Sequence, residues 1–133
     1  MYNKIIISLV FALIIFSCKN NPQEAEMILN DGVKWNVNAE MMPPLEASKK
    51  LISEFVANDE ADYKALADQL KENNKLLISS CTMKGKSHDE LHKWLHPYMG
   101  LVDELGKADD TNEANLVFQK IEKSFETFNQ YFQ

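Results

Sequence analysis

The chain has 133 residues, with 14 basic against 20 acidic groups and a formal net charge of −6. Every basic residue is a lysine, so bidentate guanidinium clamps for phosphate or carboxylate are excluded, and an acidic chain with no basic stripe is a poor partner for nucleic acid. The 2 cysteines are Cys18 and Cys81, too few for a disulfide framework.

The N-terminus carries one positive charge at Lys4 and then an apolar run from Ile5 to Phe16. That run is short of the ~20 residues a spanning helix needs and has the length of a signal-peptide core. It ends in Ile15-Phe16-Ser17-Cys18, which resembles the bacterial lipobox: an aliphatic residue three places before the cysteine and a small residue just before it. The resemblance implies that residues 1–17 are a removed signal peptide and that Cys18 becomes lipidated. Several acyl chains on one residue anchor stably where a single chain would be marginal. Lys19 follows, so neither the aspartate of inner-membrane retention nor an acidic surface-export run is present. The expected location is the periplasmic face of the outer membrane, with the membrane itself as the first partner.

Residues 18–42 read as a lipid-anchored tether and strap. The stretch 19–31 is polar, as linkers are. Gly32 then precedes Val33-Lys34-Trp35-Asn36-Val37, an alternating segment that could lie extended on the domain through Val33, Trp35 and Val37. One strand alone makes no sheet.

From residue 43 the apolar period is helical. Pro43 and Pro44 suit a first turn, where a missing N–H costs nothing, and Leu45, Ser48, Ile52 and Phe55 or Val56 repeat at threes and fours, giving a helix over 43–57. Asn58-Asp59 makes a turn, and a second helix is expected over 60–79 through Tyr63, Leu66, Leu70, Asn74 and Leu77. Ser87 with Glu90 three later reads as a capping box that starts the third helix. Leu91, Leu95, Tyr98, Val102 and Leu105 form its face, Pro97 should kink it, and Gly106 can end it. Asp110 and Glu113 cap a fourth helix over 111–132, with Val117, Ile121, Phe125, Phe128 and Phe132 inward. Short connections imply antiparallel neighbours. The expected fold is all-α: an antiparallel up-down four-helix bundle, 43–133, behind a tether and strap.

All three histidines, the free cysteine and a methionine fall between Cys81 and His96. His88 and His92 are i,i+4 neighbours, able to share one ion. An antiparallel bundle returns Met41 and Met42 to the end that carries Cys81 and Met83. Sulfur with imidazole suits Cu(I) and tolerates Zn(II). The expected metal ligands are therefore Met41, Met42, Cys81, Met83, His88 and His92. A helical wheel turns His96 toward solvent, which argues against three histidines on one ion. Haem is a poorer match, because the histidines lie on the third helix and not near the C-terminus, and no C-x-x-C-H occurs. His88-Asp89-Glu90-Leu91-His92 misses the H-E-x-x-H protease pattern, since its acid is one place late. No orienting group or oxyanion donor accompanies Cys81, so no enzyme is expected.

Taken together, Lys34-Trp35-Asn36-Val37-Asn38, Cys81 to Gly85 and His88 to Leu95 resemble a set of uncharacterised small Bacteroidota lipoproteins. The resemblance implies the anchored bundle class and carries no activity. Two functional readings follow: a membrane-tethered bundle that binds a soft metal, copper first, for buffering or sensing; or a scaffold lipoprotein with no ligand, its exposed face meeting an envelope partner.

Overall fold

The computed structural model describes residues 26–133; the expected signal peptide, 1–17, and the expected lipidation site, Cys18, lie outside the described residues. A 3-10 turn, Ala39–Met41, leads into α1 (Met42–Ala57), followed by α2 (Tyr63–Ser80), α3 (Gly85–Lys107) and α4 (Thr111–Tyr131). Each helix packs on the next in an antiparallel up-down bundle. Phe55 of α1 meets Phe118 of α4 with ring centroids 5.3 Å apart, joining the first helix to the last.

The core is the four apolar stripes turned together. Trp94 stacks on Tyr98 at 5.0 Å and presents its ring to Phe125 and Phe128 at 5.6 and 4.7 Å. The Trp94 indole N–H donates to the Ser124 carbonyl at 2.8 Å, so its one polar group is satisfied inside the α3–α4 seam. Ser48, Asn74 and Tyr98, on three different helices, are buried polar residues within this core. Burial pushes the Tyr98 phenol up to about 12 against the opposing effect of Ser48, although the hydroxyl makes no hydrogen bond of good geometry.

Several boundaries differ from the sequence reading, each for a local reason. Asp59 takes a left-handed φ of 50°, the chain spends three more residues in the turn, and α2 starts at Tyr63, where the Asp62 carboxylate accepts the Ala65 N–H at 2.9 Å. Helix α3 starts at Gly85, two residues before the expected capping box. Gly85 has φ +65°, a left-handed conformation that glycine adopts without a Cβ penalty, so the reversal happens there. Ser87 consequently lies inside the helix and donates to the Lys84 carbonyl at 3.2 Å. Gly106 is not a cap: α3 runs on to Lys107, and a Cβ at Gly106 would stand 3.4 Å from the Ala67 methyl of α2. The nearer atom is the end of the flexible Lys71 side chain, at 3.0 Å, so Gly106 lies against α2 without being required there. The α4 cap does form, with Asp110 accepting the Glu113 N–H and Glu113 accepting the Asp109 N–H, both at 2.8 Å.

The strap is fastened more thoroughly than its polarity suggests. Trp35 N–H donates to Tyr131 O at 2.8 Å, Gln133 N–H to Trp35 O at 2.9 Å and Val37 N–H to Gln133 O at 3.0 Å. The strap thus finds a partner for its backbone in the last residues of the chain. Trp35 and Val37 are buried as expected, but Val33 faces solvent. It flanks a two-residue turn, Asp31-Gly32, with φ of 50° and 85°, the type I′ geometry that Asp-Gly favours.

Glu90, freed from any capping role, holds the segment before that turn. Its buried carboxylate accepts the Ile28 N–H at 3.0 Å and the Lys93 ammonium at 2.7 Å, and Lys93 also donates to Glu26 O at 3.0 Å. Burial raises the pKa of Glu90, but the Lys93 and Ile28 hydrogen bonds with the charges of Lys93 and Lys86 outweigh it and leave the net value below the ordinary 4.5. A carboxyl lowered on folding contributes stability above that ordinary value and loses it as pH falls toward the folded one. Glu90→Ala is therefore expected to cost about 2–3 kcal/mol at neutral pH, as loss of charged hydrogen bonds at a buried site does. Hydrogen exchange should speed up at Ile28. Urea melts at pH 7 check the first, and a cost near zero would refute the clamp.

Candidate functional site

The first half of α3 carries the chemistry. Successive i,i+4 steps advance a side chain about 40° around a helix, so His88, His92 and His96 drift across its surface. The rings nonetheless meet. His92 Nε2 lies 2.9 Å from His88 Nε2, and His92 Nδ1 lies 2.7 Å from His96 Nε2. Ring centroids are 4.2 and 4.7 Å apart. His96 touches the row while remaining exposed, where the wheel placed it; what the wheel does not give is the contact with His92. The wheel treats side chains as radial spokes, whereas helical side chains lean toward neighbours three and four away. The i,i+4,i+8 spacing was the signal that could have revealed it.

The hydrogen bonds restrict the tautomers. A neutral imidazole has one donor and one acceptor nitrogen, so the central ring donates to one neighbour and accepts from the other. If His92 Nδ1–H donates to His96, its Nε2 lone pair points at His88. Burial, then the charges of His88 and His96, lower the pKa of His92 below its ordinary 6.5, against a small opposing effect from Asp89. The central ring stays neutral at neutral pH, the form that binds metal. In that arrangement His88 Nε2 carries the proton donated to His92, and binding an ion between the two Nε2 atoms requires moving it to His88 Nδ1, which lies 3.9 Å from the Asp89 carboxylate.

The elements that carry the sulfur residues meet at the same end of the bundle. Asn38 ties that end together: its amide donates to Ser80 O at 2.9 Å and its carbonyl accepts the Thr82 N–H at 3.0 Å. The start of α1 and the α2–α3 connection are therefore neighbours, as an antiparallel bundle demands. Met41 is completely buried and belongs to the core. Met42, Cys81 and Met83 are half-buried and pack against that core. Among the described residues no group of three or more His, Cys, Asp or Glu side chains is arranged to hold an ion.

Neither family models, curated proteins nor solved structures yield a match to this chain. The candidate site therefore rests on its own geometry. No helix among the described residues is long and apolar enough to cross a membrane.

Proposed function

We propose that the protein is a membrane-anchored lipoprotein of the cell envelope, on the periplasmic face of the outer membrane, that binds a transition-metal ion through His88 and His92 for buffering or sensing. The observation that carries this reading is the 2.9 Å separation of the two Nε2 atoms. Two imidazole nitrogens on one ion at about 2.0–2.1 Å stand roughly 2.9 Å apart at a right angle and roughly 3.3 Å apart in a tetrahedron. A small opening of the pair meets either geometry. A linear Cu(I) pair would need about 4 Å by the same bond lengths, so the rings favour Zn(II) or Cu(II), with Cys81 and Met83 the nearest sulfur donors in sequence for Cu(I). His96 takes the role that an outer hydrogen-bond partner plays for most metal-bound histidines: it accepts the Nδ1–H and fixes the ring. Two protein ligands leave open positions for water, which suits exchange more than permanent structural binding. The proposed role is binding and exchange of the ion, without catalysis.

The test uses protein purified from membranes without a polyhistidine tag, titrated with Zn(II) and Cu(II) against a calibrated chelator. Stoichiometric binding of one ion supports the site; no binding overturns it in favour of the scaffold reading. Anchoring is tested separately. Cys18→Ala should release the domain from membranes or stall the precursor, because the apolar run is too short to span. Unchanged acylation by mass spectrometry in that variant would refute the lipidation site.

A further inference from the structure

Single exposed apolar side chains are ordinary on a soluble surface. Here three of the seven large ones among the described residues fall within one hairpin: Ile28 at 45 %, Leu29 at 37 % and Val33 at 59 % exposure. The hairpin closes its own backbone bonds, Asn30 N–H to Val33 O at 2.9 Å and Val33 N–H to Asn30 O at 3.0 Å. The backbone of Ile28 is spoken for as well, its N–H by Glu90 at 3.0 Å and its carbonyl by the Trp35 indole at 2.7 Å. The backbone groups of Ile28, Asn30 and Val33 are thus paired inside the protein, which suits a lipid boundary, where unpaired backbone polar groups are costly. Water imposes no such cost.

The chain outside the described residues says what covers this surface. The ten steps from Cys18 to Ile28 span at most roughly 36 Å, so a lipid on Cys18 keeps the start of the hairpin within that distance of a bilayer. A short tether raises the local concentration of membrane enough for a small apolar contact to engage. We propose that the Ile28–Val33 hairpin is a membrane foot: it rests at the headgroup level of the bilayer that holds the anchor and sets the orientation of the bundle. The proposal rests on the lipidation reading and is independent of the metal site. Asp31 at the turn tip keeps the contact shallow, and Lys34 beside it suits a headgroup phosphate. The up-down topology places the far end of the bundle, with the exposed Leu116 near the start of α4, away from the lipid.

The test places a fluorescent probe at each end of the full acylated chain. Val33→Trp and Leu116→Trp variants are reconstituted in phosphatidylethanolamine–phosphatidylglycerol vesicles with and without dibrominated lipid, and the emission is compared with that of the wild type. The added Val33→Trp emission should fall about two-fold or more with brominated lipid, as an interfacial indole does, and the Leu116→Trp emission should not change. In the same background, Ile28→Asp with Leu29→Asp should abolish the quenching while the protein stays on the membrane. An acylated, membrane-bound protein with equal quenching at both ends overturns the foot and leaves the anchor standing. Loss of quenching together with a cross-linked dimer through the hairpin assigns the surface to a second copy and overturns it too. Absence of acyl mass on Cys18 overturns the anchor and the foot together.

Discussion

An alanine at His92 is expected to lower the affinity for Zn(II) or Cu(II) by more than the roughly 10–100-fold that loss of an outer-shell partner costs. His92 is the one residue placed to supply a ligand nitrogen and, through its other nitrogen, an orienting hydrogen bond. His88→Ala should match it, because one imidazole without its pair is an ordinary weak surface ligand. His96→Ala should fall within that roughly 10–100-fold range, since it leaves both ligands and removes only the acceptor of the Nδ1–H. Cys81→Ser should leave Zn(II) affinity unchanged. Competition titrations on the four variants, with circular dichroism to confirm equal helix content, read all of this directly. Equal affinity in wild type and His92→Ala would end the proposal. The pH dependence has a definite sign. The lowered pKa of His92 means that protons compete weakly for it at neutrality, and affinity should fall as the solution is acidified below the ordinary histidine value. Folding stability moves the same way, because the unfolded chain then binds protons that the folded one refuses.

Phe128→Ala is expected to cost about 3–5 kcal/mol, the range for removing a large aromatic from a packed core. Phe128 is buried and lies between the Trp94 ring at 4.7 Å and the Phe132 ring at 5.2 Å, with the Lys49 ammonium of α1 5.3 Å from its centroid. It therefore joins α3, α4 and α1 at the level where the strap pairs with the C-terminus. The cavity would loosen Phe132, whose neighbours Tyr131 and Gln133 bond the strap, so faster hydrogen exchange at Trp35 and Val37 should accompany the lost stability. Urea denaturation gives the energy and exchange gives the location. A cost under about 1 kcal/mol, the size of a tolerated conservative swap, would mean that the aromatic cluster is not packed as described.

Four amphipathic stripes and short connections determined the helical bundle from the sequence alone, because burying one stripe per helix is a local periodic property that any antiparallel packing satisfies. The cap at Asp110 and the Pro43-Pro44 start are local in the same way, whereas the second helix takes its cap from Asp62, beyond the expected Asn58-Asp59. Burial of Trp35 was legible too, since a large apolar ring in a polar stretch has few other places to go. The tertiary structure decided what depends on distant neighbours. Glu90 carries a good capping signature, yet a left-handed Gly85 starts the helix earlier, and the carboxylate holds Ile28 from 62 positions away in the chain. Gly106 reads as a stop signal but lies inside α3, against Ala67 and Lys71 of another helix. Met41 was expected among the metal ligands, and the packed end of the bundle encloses it. The histidine row shows both limits at once. Its spacing was visible in the sequence, but whether three rings meet depends on side-chain lean and on which tautomers satisfy each other, and only placed atoms decide that.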